Sequence, residues 1–419
     1  MKERRIMRGL QGDLQTGGFQ NEALLAPEQA LTLFFARAQL RMRKTETVPF
    51  EAALGRVLAR PAIADQAHPP VARSAMDGFA VRSQDTPGEL DVAGEIRMGC
   101  AWESELAPKT AVRIPTGGAL PPHADCVEPI EDAEISGERV RIANAIAPGE
   151  HIVPAGSDMR AGETILEEGR RIGGAELGVL AALGIVNVPV YAVPVFAIVS
   201  SGDELVDVRS RPGVAQVRDS NRWALAGKIE ALGAAVKQYP IAPDDETEYG
   251  RLLDAAIAEC DGVILSGGSS VGQRDLTPRL VDRRGPPGVI VHGLRVKPGK
   301  PTLLASAGGK PVIGLPGNPT SALMILEAVA APIVAYCVGA YVRAVQVEAE
   351  LARPLRKRPG WTHYVPVRLE ETAGICTAFP LDMQSASVSL LARASGFLTL
   401  GETVESVAAG ETVLATRFL

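Results

Sequence analysis

Between Val193 and Tyr336 the chain alternates short apolar runs with stretches of helical period, and this alternation limits its fold more than any other feature. VPVFAIVS (193–200) is a buried-strand run, followed by the loop SGDEL and a helical window from Asn221 to Leu232. AAVKQYPIA returns as a strand, Glu246 to Glu259 reads as a second helix, and DGVILSGG (261–268) is a strand that ends in glycines. VIVHGLRV and a strand near PVIGLPG follow, and the long apolar helix from Pro319 to Tyr336 closes the run. Strand–helix alternation of this length predicts a parallel sheet with helices on both faces. Ligands of such sheets bind beyond the carboxyl ends of the strands, so the chemistry is sought in the loops that follow them.

The flanks read differently. With 419 residues the chain exceeds one ordinary domain, and hydrophobic (46%) and charged (22%) fractions are those of a globular protein. Aromatics are only 4%, so the cores must be built from Ala, Val, Leu and Ile. PEQALTLFFARAQLRMR, from Pro27, has helical spacing with proline at its start and basic residues at its end. Residues 48–152 are short β-prone segments between Pro, Gly and Asp clusters, and 343–419 returns to strands and turns. Residues 1–24 have no sustained period and are expected to be a mobile extension.

Several function classes are disfavoured. The net charge of −6, without a dominant basic stripe, argues against a nucleic-acid binder. Lys2, Arg4, Arg5 and Arg8 precede no apolar segment, which argues against a signal peptide. Leu177 to Val199 carries no charge and is long enough to span a membrane, but Pro189 and Pro194 divide it into a helix and two strands. No membrane association is expected. Five cysteines without a CxxC pair read as reduced thiols of a cytoplasmic protein, and five histidines are too dispersed for a metal argument.

The loops at the strands' carboxyl ends share one character. They are Ser200-Ser201-Gly202-Asp203-Glu204, Ser266-Gly267-Gly268-Ser269-Ser270-Val271-Gly272 with Asp275 beyond it, Lys297-Pro298-Gly299-Lys300-Pro301, and Pro316-Gly317-Asn318-Pro319-Thr320-Ser321. Glycines let backbone N–H groups approach an anion, helix N-termini add a favourable dipole, and Lys297 and Lys300 add charge. Asp203, Glu204 and Asp275 supply hard oxygens for Mg2+. The set suits a phosphate- or oxyanion-bearing ligand held with a divalent metal. No GxxxxGK[ST] and no GxGxxG fingerprint occurs at these turns, which argues against a P-loop ATPase and a nicotinamide dehydrogenase.

SAMDGFAV, RIPTGGALPPHADCV, SSGDEL, DSNRWAL, SGGSSVG, VKPGKP, GLPGNPTSA and SLLARASGFLTL occur in order along the chain. Together they resemble the molybdopterin molybdotransferase family, MoeA in bacteria and the E domain of gephyrin in animals. The resemblance covers about residues 25–419. It implies a multidomain α/β fold whose central parallel α/β sandwich is of molybdopterin-binding type. The implied domains are 25–45 with 156–191 (helical connecting), 46–155 (β-rich, inserted), 192–342 (molybdopterin-binding) and 343–419 (C-terminal β).

The implied reaction takes adenylylated molybdopterin and molybdate, cleaves the phosphoanhydride with Mg2+ assisting, releases AMP and leaves molybdenum on the dithiolene. In that reading Ser266, Gly267, Gly268, Ser270 and Gly272, with Pro316, Gly317, Asn318 and Pro319, hold the pterin phosphate and adenylyl groups. Asp203, Glu204, Asp245 and Asp275 serve Mg2+ and substrate. Lys297 and Lys300, with Ser321 and Ser387, hold molybdate. Asp77 and Thr116 reach the cleft from the partner subunit of a homodimer, and transient contact with the molybdopterin adenylyltransferase is a further expectation.

The chain departs from the family pattern at Ser269, within SGGSSVG, and at Gly293, where a lysine often precedes KPGK. Pro366 stands near the place of an arginine that commonly follows an aromatic residue, with Arg368 two residues on. Two alternatives stand beside this reading. One is a divergent paralogue that binds molybdopterin or another oxyanion without normal turnover; the other is a molybdopterin adenylyltransferase.

Overall fold

The structure, a computed structural model, describes residues 24–267, 276–340, 344–382 and 386–418. The chain forms two compact units, one of Thr45–Tyr191 and one joining the segment up to Lys44 with Ala192 onward.

The larger unit opens with α1 (Pro27–Arg37), whose first turn is held by Gln29 Oε1 accepting from Ala26 N at 3.3 Å. Pro27, Ala30 and Phe34 form its buried stripe. The α/β module then runs β1 (Val195–Ser200), α2 (Asn221–Ala231), β2 (Ala235–Gln238), α3 (Glu246–Glu259) and β3 (Gly262–Ser266). It continues with α4 (Leu276–Asp282), β4 (Pro287–His292), β5 (Leu303–Ala307), β6 (Lys310–Leu315) and α5 (Pro319–Ile325). A π-helical stretch, Leu326–Ala330, carries α5 into the helix Ala331–Val338.

The sheet order is β2-β1-β3-β6-β5-β4. β2, β1, β3 and β6 are mutually parallel, while β5 is antiparallel to both β6 and β4. The sheet is therefore mixed, which corrects the expectation of a wholly parallel one. The reason is local. Gly308 and Gly309 both have positive φ (57° and 78°). Two such residues make the tight turn of a hairpin, and TLLASA, unassigned in the sequence reading, becomes its first strand. The core under one face is aliphatic, with Ala197, Val199, Val263, Leu265 and Val312 against Leu252, Leu253 and Ala256 of α3.

The C-terminal strands Gln346–Leu351, Thr362–Thr372, Ile375–Pro380, Gly396–Leu400 and Thr412–Arg417 pair in a closed ring. Closure leaves this small barrel without a free edge. A short strand from the α/β module, Val296–Lys297, adds in parallel to Thr362–Thr372.

The smaller unit holds a six-stranded sheet in which the strand Gly78–Val81, next to one edge, buries Phe79 and Val81 on one side and Ala80 on the other. That is the period-two pattern of a strand covered on both faces. Thr45–Pro49 pairs with Asn187–Tyr191, and Ala62–Ile63 with Thr164–Leu166. The pairing partner of 156–191 thus extends past residue 45, while α1 clusters with the α/β unit. Leu177–Val199 is divided as expected, into the helix Gly174–Ala182 and two strands, Asn187–Tyr191 and β1. Among the described residues one helix, Pro319–Val338, is long and apolar enough to cross a membrane, and 67% of its window is buried, as in a core helix.

Candidate functional site

The chain leaves β1 for β2 on one side of the sheet and then crosses to β3 on the other. That reversal opens a crevice beyond the carboxyl ends of β1 and β3, the position where doubly wound sheets take ligands. Ser200 and Ser266 are paired at the last register position, and Ser201 N extends the ladder to Ser266 O at 2.9 Å. Beyond them lies a cleft of about 1370 Å³, lined from three strand-end loops: Ser201 to Leu205, Ser266 with Gly267, and Pro316 to Pro319.

Gly267 is needed where it stands. Its φ is +93°, and a Cβ there would lie 2.4 Å from Ser201 O. The close approach keeps the two loops together at the crevice, with Ser201 N donating to Ser266 O and Gly267 N to Leu315 O. The amide of Asn221, at the first turn of α2, fastens them further. Its Nδ2 donates to Ser266 Oγ at 3.0 Å and to Gly317 O at 2.8 Å. Just before it, Asp219 is 2% exposed, accepts from Arg222 N at 3.1 Å and forms an ion pair with that guanidinium. The N-terminal turns of α2, α4 and α5 all contribute lining residues, so three helix dipoles favour negative charge in the cleft. Arg218, Arg279 and Lys300 add cations to the walls, while Asp203, Glu204, Asp219 and Asp244 add carboxylates.

Of the sequence-predicted residues, Asp203, Glu204, Ser266, Gly267, Lys300, Pro316, Gly317, Asn318 and Pro319 come together in this cleft. Ser321 is buried on α5, and the Ser387 carbonyl accepts from Thr320 Oγ1 at 2.6 Å between the lining residues Ala386 and Val388. Gly268, Ser270, Gly272, Asp275 and the variant Ser269 lie outside the described residues.

Two predicted residues fall elsewhere. Asp245 caps α3, accepting from Glu248 N at 2.9 Å, and its neighbour Asp244 lines the cleft instead. The signal was present: an acidic or hydroxyl residue with Glu three positions on marks a helix N-cap, and Asp245 with Glu248 fits it. Lys297 does not line the cleft; it pairs with His363 at the barrel. Asn221, Asp219, Arg218 and Arg279 were not assigned from sequence, although DSNRWAL contains the first two.

In the smaller unit Asp77 and Thr116 do meet. Thr116 donates from its N (2.6 Å) and its Oγ1 (2.9 Å) to Asp77 Oδ1. These two bonds hold the exposed Asp77 carboxyl below the usual carboxylate range.

Among the described residues no three His, Cys, Asp or Glu side chains gather into a metal cage. Mg2+ does not need one. It keeps several waters and takes one or two carboxylates together with phosphate oxygens. The cleft carboxylates Asp203, Glu204 and Asp244 fit that requirement.

Fold and cleft define a class: an α/β protein that binds an anionic, phosphate-bearing ligand at a topological switch point, with added β modules. Three family models match in order: "MoeA N-terminal region (domain I and II)" over 25–184, "Probable molybdopterin binding domain" over 197–336, and "MoeA C-terminal region (domain IV)" over 348–418. Molybdopterin molybdenumtransferase 2 of Mycobacterium tuberculosis is 33% identical over 88% of this chain and 94% of that one. The molybdopterin molybdenumtransferase of Haemophilus influenzae is 30% identical over 93% of this chain and 98% of its own. A crystal structure of the molybdopterin biosynthesis MoeA protein of Pyrococcus horikoshii superposes with a TM-score of 0.82 at 28% identity, covering 94% of this chain and all of that one. The chain belongs to the molybdopterin molybdenumtransferase (MoeA) family.

Proposed function

We infer that this protein is a transferase of molybdenum cofactor biosynthesis that moves molybdenum from molybdate onto adenylylated molybdopterin, with release of AMP. The observation that carries the reading is the switch-point cleft, where Ser266, Gly267 and the Pro316–Pro319 loop are clasped by Asn221 within a chain of whole-length family likeness. The helix N-termini that line the cleft bind the phosphates of the pterin and of the adenylyl group. Lys300 and Arg279 neutralise oxygens on which charge accumulates as the phosphoanhydride breaks and AMP leaves. Asp203, Glu204 and Asp244 would hold Mg2+, which supplies charge neutralisation at the phosphoanhydride. Molybdate is a substrate here, and lysines with hydroxyl donors suit a tetrahedral dianion.

The protein is further proposed to act as a cytoplasmic homodimer in which Asp77 and Thr116 serve the partner's cleft, and to receive its substrate from the adenylyltransferase by transient contact. The five cysteines are free, as suits a reducing compartment. The test uses purified protein with adenylylated molybdopterin, Mg2+ and molybdate. Molybdate-dependent AMP release is expected. Pterin binding without AMP release would favour the non-catalytic paralogue, and adenylylation of molybdopterin from ATP would favour the adenylyltransferase.

A further inference from the structure

α2 and α5 start at the same place and run the same way. Asn221 and Pro319, in their first turns, both line the cleft, and Asn221 Nδ2 reaches Gly317 O just ahead of α5. Lys228 follows Asn221 by seven residues, two turns along α2, and so projects from the same side of the helix. There its amine forms an ion pair with Glu327, which lies just beyond the end of α5. The two helical segments thus meet through polar groups at two levels, an amide in front and an ion pair behind.

Glu327 stands in the π-helical stretch, and a proline explains that turn. Pro332 has no N–H for the carbonyl of Ala328, and its ring would crowd that carbonyl in a regular helix. The ladder widens instead, with Ala331 N donating to Leu326 O. The side chain of Glu327 is 5% exposed and that of Lys228 25%. Phe418, from the end of the barrel, covers the pair, its ring centroid 5.4 Å from Lys228 Nζ. Phe418 is itself seated by its N–H on Ser395 O at 3.2 Å and by the Phe397 ring at 5.7 Å.

Stability does not account for a buried ion pair at this place, since an apolar pair of similar volume is often as stable or more so. Register does account for it. The helices bury Leu225 and Ile229 on α2 and Ala322 and Ile325 on α5, and aliphatic packing is non-directional. Such packing does not by itself fix how far one helix lies along the other. Parallel helix dipoles also repel, and both positive ends are at the cleft. We propose that Lys228 and Glu327 are positioning residues, a brace that sets the register of α2 on α5, holds Asn221 at Gly317 O and keeps both helix N-termini aimed at one phosphate group of the ligand. The proposal rests on the functional reading above for the identity of that phosphate and goes beyond it in naming what aligns the site.

The test replaces both charges at nearly constant volume, Lys228→Met with Glu327→Met. AMP alone is titrated into each protein by calorimetry, and AMP release is followed with adenylylated molybdopterin, Mg2+ and molybdate. The double variant should match or exceed the wild-type urea midpoint. It should nevertheless bind AMP about tenfold more weakly, with KM for the adenylylated pterin raised by a similar factor and kcat within about twofold. Lys228→Arg, which keeps the charge, should recover most of the affinity that Lys228→Met loses. Added to Asn221→Ala, the double replacement should cost no further affinity, because the group through which it acts is gone. Should the double variant not fold, Glu327→Asp, which keeps the charge and shortens its reach, should still weaken AMP binding by about threefold or more. Wild-type AMP affinity in the folded double variant or in Glu327→Asp, or full additivity with Asn221→Ala, overturns the positioning role. If the AMP-binding pattern holds but wild-type protein releases no AMP from the adenylylated pterin, the functional reading fails and the brace stands. If AMP is released and the pattern is absent, the brace alone fails.

Discussion

Asp244 and Asp245 are adjacent, identical in chemistry and different in task, because a helix begins at Glu246 and Asp245 must cap it. Replacing Asp245 by Ala removes the acceptor for Glu248 N and should lower stability by about 0.5–2 kcal/mol, read as a shifted urea midpoint, with AMP release per folded molecule retained. Asp244→Asn should leave the midpoint in place and reduce Mg2+-dependent AMP release by about an order of magnitude or more. The opposite pattern would return the substrate role to Asp245. Asn221→Ala is a different case, since the amide is 8% exposed and leaves Ser266 Oγ and Gly317 O without their donor. A buried group so orphaned costs about 1–3 kcal/mol, and the freed loops should bind the adenylylated pterin more weakly, by calorimetry, than wild type. Unchanged pterin affinity would show that the clasp is only structural. At this scale the sequence is readable where a residue type has one use. Glycine at Gly267 and the strand-end acids are such residues. It misleads where two neighbours compete for one use, as in the Asp-Asp pair.

α3 was legible from its period alone, and its reason for being there is the apolar stripe that meets β1 and β3. Leu253 is fully buried within that contact, among Val199, Val263 and Leu265. Leu253→Ala should cost about 2–5 kcal/mol in urea unfolding, the range for a leucine whose cavity cannot close, without altering the cleft's ligand preference. A loss below about 1 kcal/mol would mean that the helix is loosely seated. The strands were less legible than the helices. β1 and β3 are continuous apolar runs and stand out, whereas β5 and β6 are two short buried runs separated by a pair of glycines. Glycine pairs are also ordinary loop residues, so the antiparallel return went unseen. Parallel direction was inferred from alternation, and it fails where the connection is a two-residue turn.

For the whole molecule, order along the chain was readable and long-range pairing was not. Thr45–Pro49 finds Asn187–Tyr191 across the entire inserted sheet, a contact with no local signal. The proposed dimer poses the same difficulty, because Asp77 with Thr116 belongs to one compact unit and the cleft to the other. If each cleft is completed by the partner's Asp77, the two halves can be separated genetically. Asp77→Ala and Glu204→Gln should each be inactive alone, the first for want of the contributed carboxylate and the second for want of a cleft ligand. Equal mixing with full subunit exchange makes about half of the dimers mixed, as statistics of a two-fold assembly require. In a mixed dimer the Asp77→Ala chain keeps an intact cleft, and its Glu204→Gln partner supplies an intact Asp77. One site of two is then whole, so AMP release should recover to about a quarter of the wild-type rate per chain. Were each site built within a single chain, every combination would carry a lesion. No recovery in dimers shown by native mass spectrometry to have exchanged would then rule out the shared cleft.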